Sequence, residues 1–147
     1  MFSTTTQLEN YLLSVPQKIK SLSNMEYKPI QSKWSKKEIL GHLCDSANIN
    51  HQRFVEILSA TTASVSINNY NQDLLVKVHN YQHSFKTDDL IIVWVGLNTQ
   101  IVNLLKHVTK EQWELPCLLE NKQPVTLKWL VTDYINHLSH HLEQIFS

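Results

Sequence analysis

Three of the eight histidines in this 147-residue chain have the spacing that metal chemistry requires: His42, and the pair His137 and His141. The pair lies four residues apart in a segment of helical periodicity, so both imidazoles can aim at one point from the same side of a helix. His42 belongs to an earlier helical segment, at the margin of its apolar stripe beside Ile39 and Ser46. No single helix closes a coordination sphere, and a third ligand from a facing helix is what a metal site in a bundle core needs. Three neutral imidazoles would hold a divalent metal and leave the fourth position open, as catalytic rather than structural sites do. That position suits a water or a substrate thiol, whose pKa a metal lowers towards neutrality. The plainer alternative is three interior histidines satisfied by hydrogen bonds. A His-x-x-x-His spacing arises easily by chance in a chain with eight histidines.

The elements that must position these residues are helices. Leu8, Tyr11, Leu12, Val15, Ile19 and Leu22 repeat at three and four residues, predicting a first helix over Thr5 to Leu22. Pro16 falls inside it and is expected to kink or split it, since it lacks an N–H and crowds the preceding turn. Ser35 and Glu38 fit a capping box that starts a second helix. Its stripe of Ile39, Leu43, Ala47, Phe54 and Ile57 runs to about Leu58. The stretch that follows is too long for a bare loop, so a short helix is expected around Asn71 to Val78. A third long helix begins near Thr87 or Asp88 and carries Leu90, Trp94, Leu97, Ile101, Leu104 and Val108. Thr109 to Val125 reads as irregular, with one helical turn at Lys110 to Trp113, and Thr126 caps a last helix reaching Phe146. No segment shows a persuasive strand alternation. The expectation is an all-α four-helix bundle, one domain over 1–147, with a long crossover between the second and third long helices.

Composition narrows the function classes. Thirteen basic and thirteen acidic side chains cancel, and the longest basic run is Lys36 and Lys37. Neither nucleic acid nor an anionic membrane has electrostatic support as a partner. The first ten residues lack the charged and apolar regions of a signal peptide, and no stretch is expected to span a bilayer. Two cysteines, Cys44 and Cys117, are too few for a disulfide framework, which points to a reduced, cytoplasmic protein.

The run Trp34 to Ser46, followed by Asn50 to Phe54, resembles the second helix of the DinB/YfiT-like superfamily. The run Thr126 to Phe146 resembles its fourth helix, and Tyr70 to Asp73 through Tyr81 and Gln82 match its crossover. The resemblance implies a bundle of up-down-down-up topology with a divalent metal, nickel or zinc, between the second and fourth helices. The family's first ligand matches His42 and its paired ligands match His137 and His141. It further implies a homodimer. Some members are transferases of a low-molecular-weight thiol such as bacillithiol, and others are described as metal-dependent hydrolases. A second His and an Asn that follow the Asp-Ser pair in the family pattern are Ala47 and Ile49 here. The metal ligands are therefore matched more fully than the residues that would choose a substrate.

The reading is a metal-dependent enzyme acting on a small molecule, with a non-catalytic metal-binding or dimeric interaction module as the alternative. Arg53 is the catalytic candidate, a guanidinium suited to an anionic substrate group and equally to an interhelical salt bridge. Ser46 and Asn50 are candidate pocket residues or orienters of a ligand imidazole. Asp45 points away from His42 and reads as a surface or interhelical partner, and Tyr70 and Tyr81 as loop aromatics that either cover a pocket mouth or simply pack. Cys44 lies about 200° round the helix from His42, an unlikely ligand. His51, His79, His83, His107 and His140 are expected mostly in solvent.

Overall fold

Four long helices carry the structure: α1 Phe2–Lys20, α2 Lys36–Ser59, α5 Thr87–Leu105 and α6 Leu127–Phe146. Between α2 and α5 lie a two-residue strand β1 (Val65–Ser66), a short helix α3 (Gln72–His79) and one further turn α4 (Tyr81–Ser84). Between α5 and α6 lie a 3-10 turn (Gln112–Glu114) and strands β2 (Pro116–Leu118) and β3 (Pro124–Thr126). This computed structural model describes residues 2–61 and 64–147, with side chains from residue 4 onward.

Helix directions follow from side-chain contacts. Tyr11 donates to Ser139 Oγ at 2.8 Å and Lys18 stands over the Phe146 ring, so α1 and α6 run parallel. His42 meets His137 and His141 while Phe54 meets Tyr134, so α2 runs antiparallel to α6. Glu9 pairs with Lys106, and Ile19 and Leu22 share a surface cavity with Thr87 and Asp88, so α5 runs antiparallel to α1. The result is the up-down-down-up bundle, in which α1 touches α5 and α6, and α2 touches the same two helices.

The core is continuous along the bundle. Leu8, Leu43, Phe54, Trp94, Ile101, Leu138 and Ile145 are almost completely excluded from solvent, each burial contributing about 1.5–3 kcal/mol before entropy is counted. The Ser35 capping box forms as expected, Glu38 N–H donating to Ser35 Oγ and Ser35 N–H to Glu38 Oε1. Asn71 caps α3, and Asn80, at φ 52°, takes the left-handed conformation that ends α3 and starts α4.

Four expectations change or narrow. Pro16 does not split α1, because Val15 and Ile19 on either side of it are both locked into the core. A small sheet of order β1-β2-β3 exists, β1 parallel to β2 and β2 antiparallel to β3. Val65, Cys117 and Val125 lie in register across it and are all buried. Of the two readings of Asp45, surface or interhelical, the second holds: it is 6% exposed, accepts a 2.6 Å hydrogen bond from the Tyr81 hydroxyl of α4 and pairs with His79 of α3. Finally, α5 is long and apolar enough, by length and composition alone, to cross a bilayer. Its Leu90, Ile91, Trp94, Ile101, Val102 and Leu105 are buried in the bundle, while Ile92 and Val93 face outward.

Candidate metal centre

The three histidines meet in the groove between α2 and α6, near the start of one and the end of the other. His42 Nε2 lies 3.2 Å from His137 Nε2, and His137 Nε2 lies 3.1 Å from His141 Nε2. Their ligand atoms all fall within 4.8 Å of one another, His42 fully buried and the other two half-buried. The rings stand edge to face, at 78° to one another in all three pairs. Each position has a local cause. His42 is about two turns into the capped start of α2, and Trp34, immediately before the cap, packs its ring 4.9 Å from the imidazole. His137 and His141 are consecutive turns of α6, on the flank of its buried face of Tyr134, Leu138 and Ile145.

Hydrogen bonding fixes what these nitrogens offer. Gln144 Oε1 accepts from His141 Nδ1–H at 2.8 Å, which leaves the Nε2 lone pair of His141 facing the cluster. A single proton shared among the three Nε2 atoms leaves at least one lone pair without a protein donor. His42 Nδ1 is buried with no partner at all. Burial, followed by the neighbouring His137 and His141, pushes the His42 pKa down to about 3. Burial, then His141 and His140, takes His137 down to about 4. His141 is lowered as well, chiefly by burial, with the Gln144 bond opposing. All three are neutral at pH 7. The donor set therefore fits a divalent cation: nitrogens about 3.3 Å apart are what a tetrahedral ion requires at Zn–N distances.

The remaining candidates assemble elsewhere along α2. Asn50 Nδ2 donates to the Ser46 carbonyl at 2.9 Å and reaches Ser46 Oγ at 3.3 Å. Arg53 donates to Asn50 Oδ1 at 3.5 Å and to the Asn68 carbonyl, and lies over the Tyr70 ring. The two clusters share α2 without merging: eleven residues of helix place Arg53 about 16 Å along the axis from His42. Arg53 instead borders a separate cavity of 290 Å³ with Trp129 and Asp133.

Tyr81 is not at the mouth of the histidine site. It is buried against Gly41, where a Cβ would come within 2.2 Å of its ring. His79, half in solvent, pairs with Asp45 at 3.3 Å. Cys44 packs against the Leu90 carbonyl, its thiol pushed up to about 12 by burial and then by Asp45. Sequence reasoning passed over Trp34 and Gln144 as parts of the site. Gln144 carries a usable signal, one helical turn beyond His141; the stacking of Trp34 has none, since it depends on how the chain enters α2.

An up-down-down-up helical bundle with three imidazoles gathered between its second and last long helices defines a class of metal-binding fold. The DinB superfamily model matches residues 9–145, and the chain belongs to that superfamily. Its structure is similar to that of YfiT from Bacillus subtilis, described as a probable metal-dependent hydrolase with an unusual four-helix bundle topology. The TM-score is 0.78 at 20% identity, over 96% of this chain and 83% of that one. No curated protein matches the sequence.

Proposed function

We propose that this chain is a divalent-metal-dependent enzyme acting on a small molecule, with His42, His137 and His141 as the metal ligands. The observation that carries the reading is the convergence of three neutral Nε2 atoms with too few protons among them to satisfy one another. Zinc and nickel both suit three imidazoles. Bound there with a position open, such an ion supplies Lewis acidity and makes a nucleophile available at neutral pH. The protein's part is to hold the imidazoles neutral by burial, to orient His141 through Gln144, and to shield His42 with the Trp34 ring. Hydrolysis and transfer of a low-molecular-weight thiol are the two reactions proposed. The description of the similar YfiT structure supports the first, and the family resemblance of the helix motifs supports the second. Ser46, Asn50 and Arg53 are proposed to meet the distal, anionic part of a substrate.

The test is elemental analysis of untagged protein beside the triple variant His42→Ala/His137→Ala/His141→Ala. Near-stoichiometric zinc or nickel in the first, lost in the second with helical circular dichroism retained, establishes the site. Screens of thiols against electrophiles and of ester and amide hydrolysis then separate the two reactions. Wild-type protein that stays metal-free after incubation with both ions overturns the reading in favour of a helical interaction module.

A further inference from the structure

A second cavity, of 370 Å³, opens on another face of α2, between α2, the α3–α4 turn and α5. Its walls have distinct chemistry. One is an aromatic ladder, His79 to Tyr81 at 4.9 Å and Tyr81 to Phe85 at 5.1 Å between ring centroids. The facing wall is aliphatic, formed by Leu90, Val93 and Leu97 of α5. Asp45 lies in the lining as its charged group, 6% exposed. Asp45 Oδ1 is held by the Tyr81 hydroxyl and by His79 Nδ1, whereas Oδ2 is buried with no partner. Neither lysine nor arginine lines the cavity.

A buried carboxylate oxygen without a donor is costly unless something completes it. The choice of wall materials says what that is. Aromatic faces attract cations, aliphatic side chains take up hydrocarbon, and the only fixed charge available is negative. A pocket of mostly apolar lining with a few polar groups, here Asp45 with Asn48, His79 and the Tyr81 hydroxyl beside it, is the usual form of a small-ligand site.

We propose that this cavity is a second ligand site, distinct from the histidine cluster, and that it takes a small organic amine. The ammonium sits against Asp45 and the ring faces of Tyr81 and Phe85, and the hydrocarbon portion lies along Leu90, Val93 and Leu97. Asp45 anchors the charge while His79 and Tyr81 hold its other oxygen in place.

The experiment is a titration of the full-length ¹⁵N-labelled chain, read by amide chemical shifts. Hexylamine and phenethylamine are the probes, against hexanol and 2-phenylethanol as neutral matches. The expected result is saturable shifts confined to residues 41–48, 79–85 and 90–97 for the amines, with the alcohols at least tenfold weaker. Asp45→Asn is expected to lower amine affinity at least tenfold, and Val93→Trp, which fills the cavity from its half-exposed wall, to abolish the shifts. Should Asp45→Asn fail to fold, the amine-to-alcohol comparison and Val93→Trp decide alone. Equal binding of amine and alcohol, no saturable shift, an unaffected Val93→Trp, or shifts centred on residues 137–144 each overturn the proposal. Binding at the histidine site is read separately by metal content, so the two readings fail independently.

Discussion

Two polar clusters share helix α2, and they are built on opposite principles. Around Ser46, Asn50, Arg53 and Tyr70, donors and acceptors answer one another: amide to carbonyl and hydroxyl, guanidinium to amide oxygen and backbone carbonyl, with the guanidinium over the Tyr70 ring. Around His42, His137 and His141, three acceptor-capable nitrogens crowd within 4.8 Å, and the surrounding chain supplies one outer partner, Gln144. A network satisfied within the chain is set in place before any substrate arrives; a set of lone pairs left facing one another is organised for something the chain does not itself contain. Burial sharpens the contrast, because it suppresses protonation of the imidazoles, the cheapest escape from their mutual crowding.

The largest expected effect separates the clusters by metal affinity. His42→Ala removes a ligand, and zinc or nickel affinity measured by competition with a chelator is expected to fall by more than about 100-fold, beyond the range of outer-partner changes. Asn50→Leu is expected to leave that affinity within a factor of two to three, while lowering stability in denaturant unfolding by about 1–3 kcal/mol through the acceptor and donors it strands. Equal losses of metal affinity in the two variants would show that the clusters act as one site.

The next effect tests how the face of α2 beside His42 is held. At Gly41 an added Cβ would meet the Tyr81 ring at 2.2 Å, too close for either to stay in place. Gly41→Ala is expected to cost roughly 1–3 kcal/mol by overpacking, visible in the denaturation midpoint. A neutral result would mean that α4 moves away at no cost and that Tyr81 is not a support of the bundle.

These positions also show which parts of the molecule were legible in the sequence. The four helices, the capping box at Ser35 and the His137/His141 pair were readable because they depend on periodicity and local spacing alone. His42 was readable as a flank residue, with the family motif around it supplying the partner helix. The small sheet was not: its strands are two and three residues long, two of them begin with proline, and none offers an alternation to detect. The Tyr81–Asp45 contact was not legible for a different reason. Tyr81 packs where Gly41, in another element, has no side chain, a complementarity that no single segment records. Arg53 shares a face of α2 with His42 by helix geometry, but rise along a helix separates residues that a projection superposes.

A smaller effect lies within the histidine cluster. Gln144→Leu removes the acceptor that holds the His141 proton on Nδ1. Metal affinity is expected to fall about tenfold, the low end for loss of an outer partner, with helix content unchanged. Unchanged affinity would mean that packing alone orients His141.

The smallest effect is a slope rather than an offset, and it distinguishes the clusters without any metal. His42 and His137 have pKa values of about 3 and about 4, against 6.5 in the unfolded chain. The folded state thus excludes protons that the unfolded state binds below pH 6.5, so stability rises with pH across this range. Nothing is lost above pH 6.5, and the loss grows as pH falls from there through about 4 for His137 and about 3 for His42. In chelator-treated protein, unfolding free energy measured at pH 7.5, 6 and 4.5 is expected to drop on acidification, and more steeply than in the triple His→Ala variant. Asn50→Leu, which removes no titrating group, should lower the wild-type curve by a constant amount and leave its shape alone. Parallel curves for wild type and the triple variant would show that the imidazoles are not held neutral by the fold, and the distinction between a satisfied and an unsatisfied cluster would fall with it.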